Sequence, residues 1–274
     1  MRNASFVAAI LTLALSPLVG TAQTVPQDVT ALQARAESGD AKAQVDLGIA
    51  YAEGDGIPAD EALAVKWFRK AAENGDAAGE YALGEMYLFG RGVSADKAEA
   101  AKWIERSADH GDAHGQYNLA VMYAQGQGVS KDETAAEKWM RKAADQGLAD
   151  GEFGLGSMYA HGSGVAKDEI EAAGWYRKAA DQGDSAAMNN LAFLLATATD
   201  TKVRNPKEAV EVAQKAVAAE PENPTYLDTQ ATAYFVAGKL SEAVDSERQA
   251  LKLKPESTAY KKAIEKYEAA LASK

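Results

Sequence analysis

The 274-residue sequence contains no cysteine. That excludes a disulfide framework, a cysteine-ligated metal and a lipid-bearing cysteine, so the chain holds its shape by packing alone. Histidine is scarce too, with three residues. His110 and His114 stand four apart, as helical metal ligands do, but Gly111 separates them and no third ligand lies near, so no metal is assigned. Basic charge is the minority sign: 29 Lys and Arg face 40 Asp and Glu, giving a net charge of −11. This balance argues against a nucleic-acid partner, because a phosphate backbone is bound through clustered Lys and Arg. It suits a soluble monomer. Long hydrophobic runs are absent beyond the first residues. There, Arg2, the apolar stretch from Phe6 to Leu15 and the small-residue end Gly20-Thr21-Ala22 form the pattern of a secretory signal peptide over 1–22. The run is shorter than the roughly 20 residues that cross a bilayer. The expected location is therefore periplasmic or secreted, with no membrane insertion after cleavage.

What the sequence does have is a period. Its four tryptophans, Trp67, Trp103, Trp139 and Trp175, recur every 36 residues. Identical residues accompany each copy; in the second these include Leu83, Tyr87, Gly90, Gly92, Asp96, Ala100, Ala108 and Gly111. A unit of this size cannot bury its apolar face alone and is covered by stacked neighbours. Within the second copy, Tyr81, Leu83, Gly84, Met86 and Tyr87 have the spacing of a short helix. Ala100, Trp103, Ile104, Ser107 and Ala108 form the stripe of a second one. Each copy is thus a helix-loop-helix hairpin. Gly48, Gly84, Ala120 and Gly156 let its helices approach closely, with the tryptophan expected to fill the space between them.

The loops read Gly-x-Gly, as in Gly90-Arg91-Gly92. No strand precedes and no Lys-Ser or Lys-Thr follows, so a phosphate cradle is not implied. Glycine instead ends the first helix in a left-handed conformation. Asp60, Asp96, Asp132 and Asp168 follow, one carboxylate per loop, too few for calcium. They are expected to cap the second helix, with Glu99 and Glu171 completing a capping box. No serine triad or paired-acid cleft is legible, so the chain reads as non-enzymatic and free of cofactors.

These recurring residues resemble the Sel1-like repeat, a relative of the tetratricopeptide repeat, over 40–183. The resemblance implies an all-α, right-handed α-solenoid. Its expected segments are the signal peptide (1–22), a leader and N-terminal capping helix (23–39), four Sel1-like repeats (40–183), two tetratricopeptide-like repeats (184–255) and a C-terminal capping helix (256–274). Glu211 stands where a fifth tryptophan would fall, and Thr199-Asp200-Thr201-Lys202 replaces the glycine loop. Gln230 and Glu247 occupy sites where the tetratricopeptide family prefers apolar residues. They either hydrogen-bond across their hairpin or loosen it.

Such a solenoid implies an exported, non-catalytic scaffold that binds a protein or peptide along its concave face, as in envelope signalling or assembly. Two alternatives are a cell-wall ligand-binding or weakly hydrolytic protein and a secreted host-interaction factor. The relatives linked to penicillin binding carry cysteine pairs in each repeat, which this chain lacks. Positions that vary between copies are the ones free to serve recognition. Two rows stand out: Val45, Tyr81, Tyr117 and Phe153 form an apolar ladder that serves either packing, since the family pattern favours an aromatic there, or binding, and Glu53, Phe89, Gln125 and His161, different in every copy, stand before each glycine loop. The candidate binding residues are Tyr81, Phe89, Tyr117, Gln125, Phe153 and His161.

Overall fold

A computed structural model describes residues 29–273; the expected signal peptide and the start of the leader lie outside the described residues. Among the described residues there are fourteen α-helices and no strands. After α1 (Val29–Glu37) come six hairpins. They are α2 (Ala41–Glu53) with α3 (Glu61–Glu73), α4 (Ala77–Phe89) with α5 (Lys97–Asp109), and α6 (Ala113–Gln125) with α7 (Glu133–Asp145). Then follow α8 (Ala149–His161) with α9 (Glu169–Asp181), α10 (Ser185–Thr197) with α11 (Pro206–Ala219), and α12 (Pro224–Val236) with α13 (Leu240–Leu253). The last helix is α14 (Thr258–Ala272). The chain divides into two compact units, one ending at Gly151 and the other beginning at Glu152. In the first, each helix from α1 to α7 packs on the next, and the first helices α2, α4 and α6 touch in sequence. In the second, α9 to α14 pack in order and α10 touches α12. Consecutive packing of this kind makes an α-solenoid.

Local chemistry sets each hairpin. Asp60, Asp96, Asp132 and Asp168 cap the second helices, accepting from Leu63 N at 2.9 Å, Glu99 N at 3.0 Å, Ala135 N at 2.9 Å and Glu171 N at 3.1 Å. Their own amides donate back to Tyr51, Tyr87, Tyr123 and Tyr159 carbonyls, which closes each loop. The expected capping box does not form around Asp96, because that amide is already spent. Glu99 instead accepts from Trp103 Nε1 at 3.0 Å and Lys102 Nζ at 2.9 Å. Gly90 ends α4 at φ 69°, as the loop requires. Gly92 is left-handed too, at φ 64°, and a methyl group there would overlap the Glu61 carbonyl oxygen of the preceding hairpin.

The core between paired helices is built by the residue after each tryptophan. Phe68, Ile104, Met140 and Tyr176 are all buried, and a methyl group on Gly84 would stand 2.6 Å from Ile104 Cγ1. Where flexible Met140 takes the site, the facing residue is Ala120 rather than glycine. The tryptophans do not fill the hairpin interior as expected. Trp67 packs with Leu32 and Ala36 of α1 and with Ala43 and Leu47 of α2. Trp103 lies against the cluster of α2, α3 and α4, and Trp139 against that of α4, α5 and α6. These three therefore seal the seam to the preceding helices. A cation three residues on lies over each indole: Lys70, Arg106, Lys142 and Lys178, at 3.6–4.7 Å from the ring centroid.

In the second unit, the loop that lost its glycines is held otherwise. Glu169 Oε2 accepts from Thr199 N, Thr199 Oγ1 and Asp200 N at 3.0–3.1 Å. Gln230 does bond across its hairpin, to Ser246 Oγ at 3.0 Å. Glu247 does not join it. Fully buried in α13, Glu247 faces Asp228 of α12, with Tyr260 and Tyr267 of α14 nearby. Burial first, and Asp228 second, push its carboxyl up to about 8 from 4.5.

Two predictions concern stability. Gly111 is left-handed with nothing within 4 Å of an added methyl, whereas Gly92 combines that conformation with the backbone overlap. Gly111→Ala is therefore expected to cost about 1 kcal/mol and Gly92→Ala about 3 kcal/mol or more in urea unfolding. Equal costs would remove the contact role of Gly92. The second concerns pH. The fold holds a proton on Glu247 that the unfolded chain releases near 4.5, so its contribution is complete below that value and is lost as pH rises through about 8. Glu247→Gln is expected to flatten the decline in unfolding midpoint across this window; an unaltered slope counts against the buried pair.

Candidate functional site

The first helices carry all six candidate residues, and the structure treats them unequally. In the first unit, Tyr81 is half-buried on α4, and its phenol donates to Glu85 Oε1 at 2.7 Å. The Tyr81 phenol oxygen accepts from Asn118 Nδ2 of α6 at 3.1 Å, and the ring lies tilted against His114 at 5.9 Å. Burial, then the neighbouring Glu85, push the Tyr81 phenol far up. Tyr81 is thus a polar bridge between adjacent first helices as well as an apolar rung. Tyr117 is half-buried on α6, and Val45 of the same row joins the core. Phe89, the last residue of α4, is 36% exposed. Gln125, at the end of α6, accepts from Gln127 Nε2, and its own Nε2 is buried without a hydrogen-bond partner.

Phe153 and His161 belong to the second unit. Phe153 packs on Tyr176 with ring centroids 5.8 Å apart, at the border of that unit's largest cluster, so it serves packing. His161 is exposed, and its Nδ1 lies 2.9 Å from Ser157 O. Partial desolvation of the ring lowers its pKa.

The sequence reading missed Glu85. It is only 6% exposed, yet it lies on the stripe joining Tyr81 to Phe89, one turn from each. Burial pushes its carboxyl up to about 7, against the opposing effects of the Tyr81 hydrogen bond and the Arg91 charge. The signal was present, since Ile49 and Val121 hold this register in the flanking copies. Phe193 of α10, 51% exposed, and Val236, 39% exposed at the end of α12, were missed as well. Their glycine-loop landmark had vanished.

Another row is structural. Gln44, Glu80, Gln116 and Glu152 are buried on first helices and meet Asn74, His110, Gln146 and Gln182 at the ends of the paired second helices, at 2.7–3.3 Å. Gln44 and Gln116 also donate to the carbonyls of Ala36 and Ala108. Glu80 makes no such hydrogen bond to Ala72 O. Arg106 replaces it, pairing with Glu80 at 2.8 Å and donating to Ala72 O at 3.3 Å. His110 is accordingly a partner for a buried acid. Among the described residues, no group of three or more His, Cys, Asp or Glu is placed to hold a metal ion.

Solved structures with this arrangement exist. The chain is 33% identical to c5321, a protective antigen of uropathogenic Escherichia coli with an SLR fold, at a TM-score of 0.74 over 82% of this chain. It covers 48% of that protein, about half its length. It is 34% identical to a Sel1 repeat protein from Oxalobacter formigenes, at a TM-score of 0.60, covering 68% of this chain and 74% of the other. No curated protein matches. The Sel1 repeat model matches residues 41–76, 77–112, 113–148, 149–184 and also 185–219, the stretch read from sequence as tetratricopeptide-like. In that fifth unit, Asp184 still caps α10 at Ala187 N, and the Glu169 hydrogen bonds stand in for the glycine loop. With five successive repeats spanning more than half its length, the chain belongs to the Sel1 repeat family.

Proposed function

We propose that this protein is a non-catalytic, exported scaffold that binds a partner protein or peptide on the faces of its first helices. The observation that carries this reading is that both large exposed aromatic side chains among the described residues lie on first helices. Phe89 ends α4, and Phe193 occupies in α10 the register that Glu85 holds in α4, whereas the exposed aliphatic side chains are divided between α12 (Val236), the second helices (Ile170, Leu253) and α14 (Leu271). Water-exposed aromatic area of this kind is recovered by burial against a partner, at about 25 cal/mol per Å². The repeat fold, of a kind that generally serves protein interaction, supports the same reading. Against a hydrolytic role stands the company of Glu85, a phenol and an amide rather than a nucleophile and a base.

Export is supported by Arg2, the apolar run from Phe6 to Leu15 and the small residues before Gln23. A second reading, a secreted factor that meets a host, is favoured by the likeness to a protective antigen.

A photo-crosslinking amino acid placed at Phe89 or Phe193, and at Ile170 on the second helix α9 as a control, tests the face. Crosslinks to one partner at the first two sites and not at the third are the expected result. Preferential reaction at position 170 would move the binding surface to the second helices. Fractionation with N-terminal sequencing tests export: a mature chain starting at Gln23 outside the cytoplasm is expected, and an intact Met1 in the cytoplasm would overturn it.

A further inference from the structure

The binding-face reading leaves one group in the first unit without a role, the carboxylate of Glu85. Removing a charge from water is costly unless an opposite charge accompanies it. Glu85 is 6% exposed, and its hydrogen bond comes from the neutral Tyr81 phenol at 2.7 Å. Among the described residues, no Lys, Arg or His forms an ion pair with it. Arg91, the cation whose charge it feels, is committed to Glu61 at 2.7 Å, and Lys42 and Asp46 of α2 pair with each other at 3.7 Å. The other charge felt, Asp112, is of the same sign. Packing does not require an acid there, since Ile49 and Val121 fill the register in the adjoining copies.

The surroundings point to what would complete the site. Asn118 fixes the Tyr81 phenol from α6, which aims the carboxylate by holding one of its oxygens. Phe89 projects one turn further along the same stripe, 36% exposed. At the matching end of α6, the Gln125 amide nitrogen is buried without an acceptor, as it would be beside a missing backbone carbonyl. A carboxylate flanked by aromatic faces, on a chain of net charge −11, matches a cation with an apolar stem.

We propose that the α4–α6 face binds an extended peptide segment through one basic side chain, lysine or arginine, whose charge pairs with Glu85 and whose methylenes lie on Tyr81 and Phe89. This rests on the binding-face reading and names the chemistry of its partner. Binding is then strongest where Glu85 is ionised. Because burial holds its carboxyl at about 7, affinity is expected to fall roughly tenfold from pH 8 to pH 6.

The test is selection of a random octapeptide phage library on the full chain, with the best peptide synthesised for calorimetry. The selected sequences are expected to share a Lys or Arg at one position. Replacing that residue by norleucine should weaken binding at least tenfold to the wild type, and less than twofold to Glu85→Gln or to Glu85→Ile, the residue of the first copy. The norleucine comparison on the wild type stands even where a variant folds poorly. Peptides that lack a common basic residue but are lost with Phe89→Ser would overturn the counter-ion role and leave the binding face intact. Peptides indifferent to both Phe89→Ser and Glu85→Gln, or no binders at all, would overturn the face and this inference together.

Discussion

The close approach of paired helices underlies everything else in this chain. Gly84 has no side chain because Ile104 occupies that space, and Gly48 and Gly156 stand in the same relation to Phe68 and Tyr176. Bringing two thirteen-residue helices together at this distance buries the larger residue completely and leaves little room for error. The third hairpin shows the constraint is one of summed volume: Ala120 is admitted where Met140, a flexible side chain, replaces a ring or a branched one. Once the two helices are fixed, the Gly-x-Gly loop has one path, and the second glycine lies against the preceding hairpin. In the first unit, Trp67, Trp103 and Trp139 then close the seam to the helices before them.

This division of labour explains why the array can lose landmarks without losing its fold. Between α10 and α11 the glycines are gone, and three hydrogen bonds to Glu169 keep the loop against the previous hairpin. The carboxylate that receives them has its pKa lowered chiefly by the Asp200 amide. A charged acceptor at the loop thus does what close backbone contact does elsewhere. Glu80 and Arg106 show the same economy: the arginine supplies the donor that Gln44 and Gln116 carry themselves.

Of the buried carboxylates, Glu80 and Glu152 meet partners at the ends of the second helices, whereas Glu85 and Glu247 do not, and these two differ in kind. Glu247 faces a second acid, Asp228, from within its hairpin, and burial together with that acid favours its neutral form. Glu85 is on the first-helix layer, with a phenol as its donor and aromatic neighbours along its stripe. Glu247 is expected to tune stability with pH, and Glu85 is the group we propose pairs with a basic side chain.

The sequence by itself determined the hairpin, its caps and its 36-residue period, because these depend on residue type at fixed spacing: aspartate before a helix, glycine where φ is positive, small residues where helices cross. It also marked Tyr81, Phe89 and Gln125 as free to vary. It misplaced the tryptophans, since an identical residue in every copy says only that the site repeats, not which side of the hairpin it seals. It named Ile104 in the stripe but passed over Phe68, Met140 and Tyr176, because a core position tolerates different shapes when the facing residue adjusts. Only the tertiary structure decided that Phe153 is packing, that His110 serves Glu80, and that Glu85 is buried without a counter-ion. Those facts depend on which helices become neighbours, and that is set by the stacking of hairpins, which no single spacing encodes.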